Sequence, residues 1–197
     1  MSSAPQSNLL ITGFRPFQDR SVNGSQTVAE ALDGKVILEH RICTEVFSVV
    51  WKGLDEQLAE ALERTTPALV LGLGEGNKPY PCFEQFALNE AQGTDEAGKE
   101  PHFPPAPITA LPVRKTTLGF EREWFSGLPL SFAHSENPGR FLCNHLFYQA
   151  LSRAEARVGF VHLPVQSDQS SADYVSALIP LLYRLLSKNL KEILNAD

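Results

Sequence analysis

Apolar residues along the chain fall into short runs separated by stretches with helical spacing. Leu9-Leu10-Ile11, ending in Thr12-Gly13, reads as a strand, and Ser25 is placed to cap a helix that runs through Leu32 and stops at Gly34. Val36 to Ile42 reads as a second strand. From about Val49 to Arg64, Trp51, Leu54, Leu58, Ala61 and Leu62 share one helical face, while Glu56, Glu60 and Glu63 occupy others. Pro67 introduces the strand Ala68-Leu69-Val70-Leu71-Gly72, and Phe83 to Asn89 reads as another despite its polar residues. Between Glu90 and Pro107, glycine, proline and charge accumulate without period, which predicts a long loop of the kind that often carries function.

The second half continues the alternation. Thr117 to Phe125 reads as a helix, and Leu128 to Phe132 as a strand feeding the turn Ser135-Glu136-Asn137-Pro138-Gly139. Cys143, Leu146, Phe147, Ala150 and Leu151 then recur at the spacing of one helical face. Val158 to Leu163 is the next strand, and Ala172 to Leu190 a closing helix with Val175, Leu178, Leu182 and Leu185 inward. Near-continuous apolar strands alternating with amphipathic helices require a sheet covered on both faces. The expected fold is therefore α/β, a three-layer α/β/α domain with a largely parallel or mixed central sheet. One domain spans 1–197, with 1–7 as a flexible arm.

Composition narrows the function. A chain of 197 residues suits one domain that buries roughly two-thirds to three-quarters of its unfolded surface, enough for a walled cleft. A formal charge of -6 without any basic cluster leaves no footprint for nucleic acid or an anionic membrane, and favours a small, weakly charged ligand. No apolar run approaches the ~20 residues of a membrane span, and Met1 to Pro5 lack the features of a signal peptide. A cytoplasmic location, where thiols stay reduced, is expected. Cys43, Cys82 and Cys143 are too far apart for a CxxC redox site or a zinc ligand set. A single reactive thiol is the chemistry left open.

Cys143 opens an apolar helix, where unpaired backbone N–H groups and the positive end of the helix dipole favour an anion. His162 sits within an apolar strand. Together they are the parts that a thiol nucleophile and its base require, although each residue alone is commonly core filler. His145 points about 100° away from Cys143 on the same helix and is assigned to packing or hydrogen bonding. Cys43, Cys82, His40 and His134 are assigned structural or surface roles.

Four blocks carry a family resemblance. Gly139-Arg140-Phe141-Leu142-Cys143-Asn144-His145-Leu146-Phe147-Tyr148 resembles the nucleophile motif of the pyroglutamyl peptidase I family of cysteine peptidases. Thr12-Gly13-Phe14-Arg15-Pro16-Phe17 with Asn23 is similar to the family's TGFxPF…N signature. Glu84-Gln85-Phe86-Ala87-Leu88-Asn89 resembles its ERxAxN segment, and Gly159 to Pro164 with Gln169 its GFxHxPxxxxQ block. The blocks occur in the family's order and cover almost the whole chain.

The resemblance implies a phosphorylase/hydrolase-like fold and an enzyme that removes an N-terminal pyroglutamyl residue from a small peptide. Cys143 would be its nucleophile, His162 its general base and acid, and Glu84 the carboxylate orienting the imidazole. Phe14, Phe17, Phe141 and Leu142 would line the lactam pocket, with Asn23 near the site. No metal or organic cofactor is implied, and the oligomeric state is left open between monomer and homo-oligomer. The chain departs from the family at Gly72 to Lys78, at Pro79 to Cys82, at Gln18-Asp19, at Glu90 to Asp95 and in a short Cys143-to-His162 interval. Other readings on the same scaffold are therefore a relative that binds a lactam or small amide without turnover, and a thiol amidase of different specificity. Phosphate-dependent nucleoside chemistry is disfavoured, because no basic cradle surrounds Gly72 to Gly76.

Overall fold

A computed structural model describes residues 7–101, 110–119, 125–165 and 169–194, with side chains up to residue 187. Its centre is a seven-stranded mixed sheet in the order β2-β3-β1-β4-β9-β5-β8. The strands are β1 (Ser7–Phe14), β2 (Val36–Ile37), β3 (His40–Phe47), β4 (Pro67–Gly76), β5 (Cys82–Glu84), β8 (Ala133–Ser135) and β9 (Arg157–Pro164). β3, β1, β4 and β9 run parallel, whereas β5 is antiparallel to β9 and parallel to β8. A separate two-stranded ribbon joins β6 (Phe86–Leu88) to β7 (Val113–Lys115).

Four described helices cover the sheet: α1 (Gly24–Leu32), α2 (Leu54–Thr65), α3 (Leu142–Arg153) and α4 (Ser171–Leu194). Alternate residues of each strand point to opposite faces. Leu9, Ile11, Leu69, Leu71, Leu73, Val161 and Leu163 pack with α1 and α4. Leu10, Phe14, Val70, Val158 and Phe160 pack with α2 and α3. This is the expected three-layer arrangement. Among the described residues no helix is long and apolar enough to cross a membrane.

Several boundaries differ from the sequence reading, each for a local reason. Asn23, not Ser25, caps α1: its side chain accepts from the Ser25 N–H at 2.9 Å, and Ser25 is the second residue inside the helix. Val36 to Ile42 is not one strand but the hairpin β2–β3, turned by Leu38 and Glu39 at φ of 45° and 65°. α2 begins at Leu54 rather than Val49, because Gly53 takes φ 85° and Trp51 is bound to a distant loop. Phe83 to Asn89 is two strands in two sheets, separated at Gln85, whose N–H donates to Ser135 O and whose carbonyl accepts from Thr116. The strand expected over Leu128 to Phe132 lies further on, at Ala133–Ser135, where it pairs with β5. Ser7, expected in a flexible arm, starts β1 and has its hydroxyl 2.5 Å from His40 Nδ1. The helix expected over Thr117 to Phe125 falls largely outside the described residues, as do residues 102–109 of the long loop.

Gly159 marks where the α1 and α4 side of the sheet is tightest. A Cβ there would lie 2.3 Å from Leu118 Cδ1 and 2.9 Å from Phe83 Cζ. Gly159→Ala should therefore destabilise the fold by about 1–3 kcal/mol through overpacking. A melting experiment should show a Tm lowered by roughly 2–4 °C per kcal/mol for a chain of this size, and an unchanged Tm would contradict the packing described.

Candidate active site

The site forms at the C-terminal half of β4, where one face carries no side chains from Gly72 onward. Gly72, Gly74 and Gly76 alternate on that face, beside Phe160, His162 and Pro164 of β9 in register. A Cβ on Gly72 would meet Phe160 at 2.3 Å, one on Gly74 would meet the Cys143 Sγ at 2.6 Å, and one on Gly76 would meet the His162 Cβ at 3.1 Å. Each glycine therefore vacates the volume that one neighbouring side chain fills. The period-two glycines were visible in the sequence, but their partners lie on other elements.

Cys143 is held over this trench by the start of α3. The chain turns at Gly139, φ 76°, and passes through Phe141 as an extended N-cap without any side-chain cap. The first N–H groups of the helix, those of Leu142, Cys143 and Asn144, thus lack the side-chain acceptor that usually closes a helix end. Asn144 points the other way and is fully buried. Its Nδ2 donates to Leu88 O at 2.9 Å and Glu90 O at 2.8 Å, and its Oδ1 accepts from the Leu88 N–H at 2.7 Å. The residue beside the thiol thereby fastens α3 to the β6–β7 ribbon. His145 also faces away, with Nε2 2.6 Å from Asp55 Oδ1 of α2, in the hydrogen-bonding role expected for it. Gln149 donates to the same carboxylate at 2.8 Å, so the helix is pinned along its length.

His162 lies between the thiol and a carboxylate. Its Nδ1 is 2.8 Å from Glu84 Oε1, and its ring hydrogen-bonds the Cys143 side chain. With Nδ1 held by Glu84, Nε2 is the nitrogen left to face sulfur. Glu84 comes from β5, where Cys82 stands opposite His162 and Glu84, two residues on, shares that face. It is 1% exposed, and its Oε2 has no hydrogen-bond partner among the described residues. Burial opposes a charge on His162, but the hydrogen bonds to Cys143 and Glu84 and the negative charge on both outweigh it. The imidazole is raised to about 9 and is protonated at neutral pH. Cys82 lies close by, but burial pushes its thiol up, which keeps it neutral.

All eight residues singled out from the sequence line one cavity of about 720 Å³: Phe14, Phe17, Asn23, Glu84, Phe141, Leu142, Cys143 and His162. Its apolar wall is built by packing among rings. Phe17 and Phe141 lie 5.5 Å apart between centroids, and Trp51 meets Phe141 edge-on at 5.4 Å. Trp51 is itself fixed by the loop that departs from the family pattern, through Nε1 to Gly93 O at 2.9 Å and its N–H to Asp95 Oδ2 at 2.9 Å. Asp95 is buried, which opposes its charge, but backbone N–H groups of Trp51, Lys99 and Ala97 hold its carboxyl below the usual range. Asn23 uses both ends of its amide locally, donating to Arg15 O at 3.1 Å and accepting from Ser25, so it shapes the loop carrying Phe17.

The same cavity contains residues that the sequence reading missed. Glu75, between the glycines, binds Arg20 through both guanidinium nitrogens and accepts from the Gly24 N–H at 2.7 Å, tying the Phe17 loop to β4. Lys78 lies on the opposite wall with Tyr80 and Asn137. A charged residue within a glycine-rich strand was the signal available for Glu75.

Residues 7–183 match the family model described as Pyroglutamyl peptidase. A pyrrolidone-carboxylate peptidase of Chromobacterium violaceum is 31% identical over 172 residues, covering 82% of this chain and 80% of the relative. One from Bacillus cereus is 31% identical over 178 residues, with 83% and 80% covered. In fold, the chain is similar to a mutant pyrrolidone carboxyl peptidase from Pyrococcus furiosus, with a TM-score of 0.84, 23% identity and 92% and 99% of the two chains covered. The Thermococcus litoralis pyrrolidone carboxyl peptidase gives a TM-score of 0.84 at 22% identity, with 95% and 96% covered.

The bare face of β4 makes a direct test available. Gly74→Ala should displace the sulfur from His162, and alkylation of Cys143 by iodoacetamide, followed by mass spectrometry, should slow at least ~10-fold as the contact between sulfur and imidazole is lost. An alkylation rate equal to that of the native protein would show that Gly74 does not set the position of the thiol.

Proposed function

The chain belongs to the pyroglutamyl peptidase family of cysteine peptidases, and on that premise we propose that it removes N-terminal pyroglutamate from peptides through Cys143, His162 and Glu84. The observation that carries this reading is the continuous contact Glu84–His162–Cys143 opening onto a cavity walled by Phe14, Phe17 and Phe141. Pyroglutamate is a neutral lactam, so a pocket of ring faces with polar groups at its edge suits it, and an ammonium-binding carboxylate is not needed. A small peptide with that terminus is the substrate, and the cytoplasm the setting.

In the resting pair His162 carries the proton and the sulfur is free to attack. Sulfur adds to the carbonyl carbon after the lactam ring, and the negative charge that develops on oxygen is met by N–H groups at the uncapped start of α3. His162 then donates its proton to the leaving amine, the C–N bond breaks, and a thioester remains on Cys143. Water, deprotonated by the now neutral His162, adds to the thioester, and its collapse returns the sulfur and releases pyroglutamate. Glu84 keeps Nδ1 occupied through both half-reactions, so that Nε2 always faces the chemistry. The departures at Gly72 to Lys78 and Glu90 to Asp95 do not leave the site open. They supply its glycine trench, its Glu75 tie and the support for Trp51. That favours turnover over a binding protein without chemistry.

Cleavage of a pyroglutamyl amide with a fluorescent leaving group tests the reading. Cys143→Ser should lose at least ~10³-fold in kcat/KM, and iodoacetamide should abolish turnover. Undiminished turnover by Cys143→Ser would exclude the thiol mechanism, and tight binding of the lactam without turnover by the native protein would favour the binding reading.

The pH profile gives a second check. Because the leaving amine takes its proton from His162, kcat/KM should fall as pH rises through about 9. Glu84→Gln removes one of the charges that raise the imidazole, so the alkaline limb should move to lower pH. A limb at the same position in both proteins would show that Glu84 does not act on His162.

A further inference from the structure

The cations on the cavity wall differ in what holds them. Arg20 is bound by Glu75, and His162 by Glu84, so these four groups form two neutral pairs. Among the described residues Lys78 is the remaining cation on the wall, and it forms no ion pair with a described carboxylate. Its Nζ donates to Ser135 Oγ at 2.8 Å and also hydrogen-bonds the Cys82 side chain, whose thiol is neutral. An ammonium has three N–H donors, so one is left for the cavity, with a charge that these neutral partners do not compensate.

The seat of this ammonium is built rather than incidental. Ser135 is 2% exposed, and its hydroxyl also donates to Asn137 O and accepts from the Asn137 N–H, both at 3.3 Å. Pro79 and Pro81 restrict the lip on either side of Tyr80, and Pro81 O accepts from the Ala133 N–H of β8 at 2.9 Å. Lys78 is thus anchored at the β5–β8 edge, while Phe14 lies at the end of β1 on the far side of β4 and β9.

The sheet itself gives a ruler. Neighbouring strands are about 4.8 Å apart, and Ser135 of β8 lies two strands across from His162 of β9 and two residues along from its level, so the two backbones are roughly 12 Å apart. If the lactam occupies the aromatic end, as proposed above, the leaving peptide departs past His162 and across β5 toward β8. An extended peptide advances about 3.3–3.6 Å per residue, so a carboxylate one or two residues beyond the scissile bond comes within reach of the lysine's flexible stem. We infer that Lys78 selects pyroglutamyl peptides whose leaving portion carries a carboxylate within two residues of the scissile bond. The carboxylate has two sources, the free C-terminus of a di- or tripeptide and an acidic side chain directly after the lactam.

This inference rests on the pyroglutamyl-peptidase reading, and its test separates the two. The native enzyme, Lys78→Met and Lys78→Arg are each given pyroglutamyl-alanine, pyroglutamyl-alaninamide and pyroglutamyl-glutamate α-amide. The native enzyme should prefer a carboxylate-bearing peptide over the neutral alaninamide by about 5–10-fold in kcat/KM, as one partly solvated charge contact provides. Preference for the free acid identifies the C-terminus as the source, and preference for the glutamate amide identifies the side chain. The ratio should fall to about 1 in Lys78→Met, persist in Lys78→Arg and shrink with added salt. A native ratio near 1, or a ratio unchanged in Lys78→Met, overturns the role of Lys78 while leaving the peptidase intact. Failure of the native enzyme to cleave any of the three peptides, or the fluorogenic amide, overturns both.

Discussion

The site depends on how closely β4 lets other side chains approach its backbone. On the face carrying Gly72, Gly74 and Gly76, Phe160, Cys143 and His162 occupy the space where three side chains would otherwise stand. Tight packing of this kind leaves no slack, because interiors are as dense as organic crystals and a single methyl must displace something. The nucleophile and the imidazole therefore meet through the absence of atoms on a third element. Phe160 serves as the floor, packed on Phe147 at 5.6 Å and against the His162 ring at 5.0 Å, so that the imidazole rests on an aromatic support.

Around this trench the polar groups divide into those that hold and those that react. Asn144, His145 and Gln149 spend their hydrogen bonds on the β6–β7 ribbon and on Asp55, which fixes α3 relative to two neighbours. Glu75 and Arg20 hold the loop that carries Phe17. Facing the cavity among the described residues are the Cys143 sulfur, the His162 ring, the start of α3 and the Lys78 ammonium. The buried carboxylate of Glu84 addresses His162 from within the sheet, where a charge is least screened and acts most strongly on its partner.

The layer architecture was legible because the apolar strands and amphipathic helices have unmistakable periods. The motif blocks brought forward the residues that meet in the cavity. Features made by distant partners were not legible. Leu38 and Glu39 turn a hairpin without the glycine or asparagine that usually marks one. Trp51 continues the apolar pattern of α2, yet its backbone N–H is bound by Asp95, 44 positions later, and the helix starts after it. Gln85 sits inside what reads as one strand, but its two backbone hydrogen bonds go to different elements and divide the segment between two sheets. Asn23 and Ser25 are both capping residue types, and sequence alone does not tell which one stands at the boundary. Lys78 gave no local signal, since its position has meaning only opposite β8.

The pairing of β5 with β9 has a further consequence for how such a chain can drift. Glu84 and His162 are 78 positions apart, yet their relative placement is set by a backbone ladder in which Cys82 faces His162 and Phe83 faces Val161. Peptide groups make that ladder, so it does not depend on the identities of the side chains in the intervening loops. Segments such as Gly93 to Glu100 can lengthen, shorten or change composition over evolutionary time while the carboxylate and the imidazole stay in step. The chemistry and the rim of the pocket are thereby inherited separately, and lineages on this scaffold can exchange what they recognise without rebuilding the means by which they react.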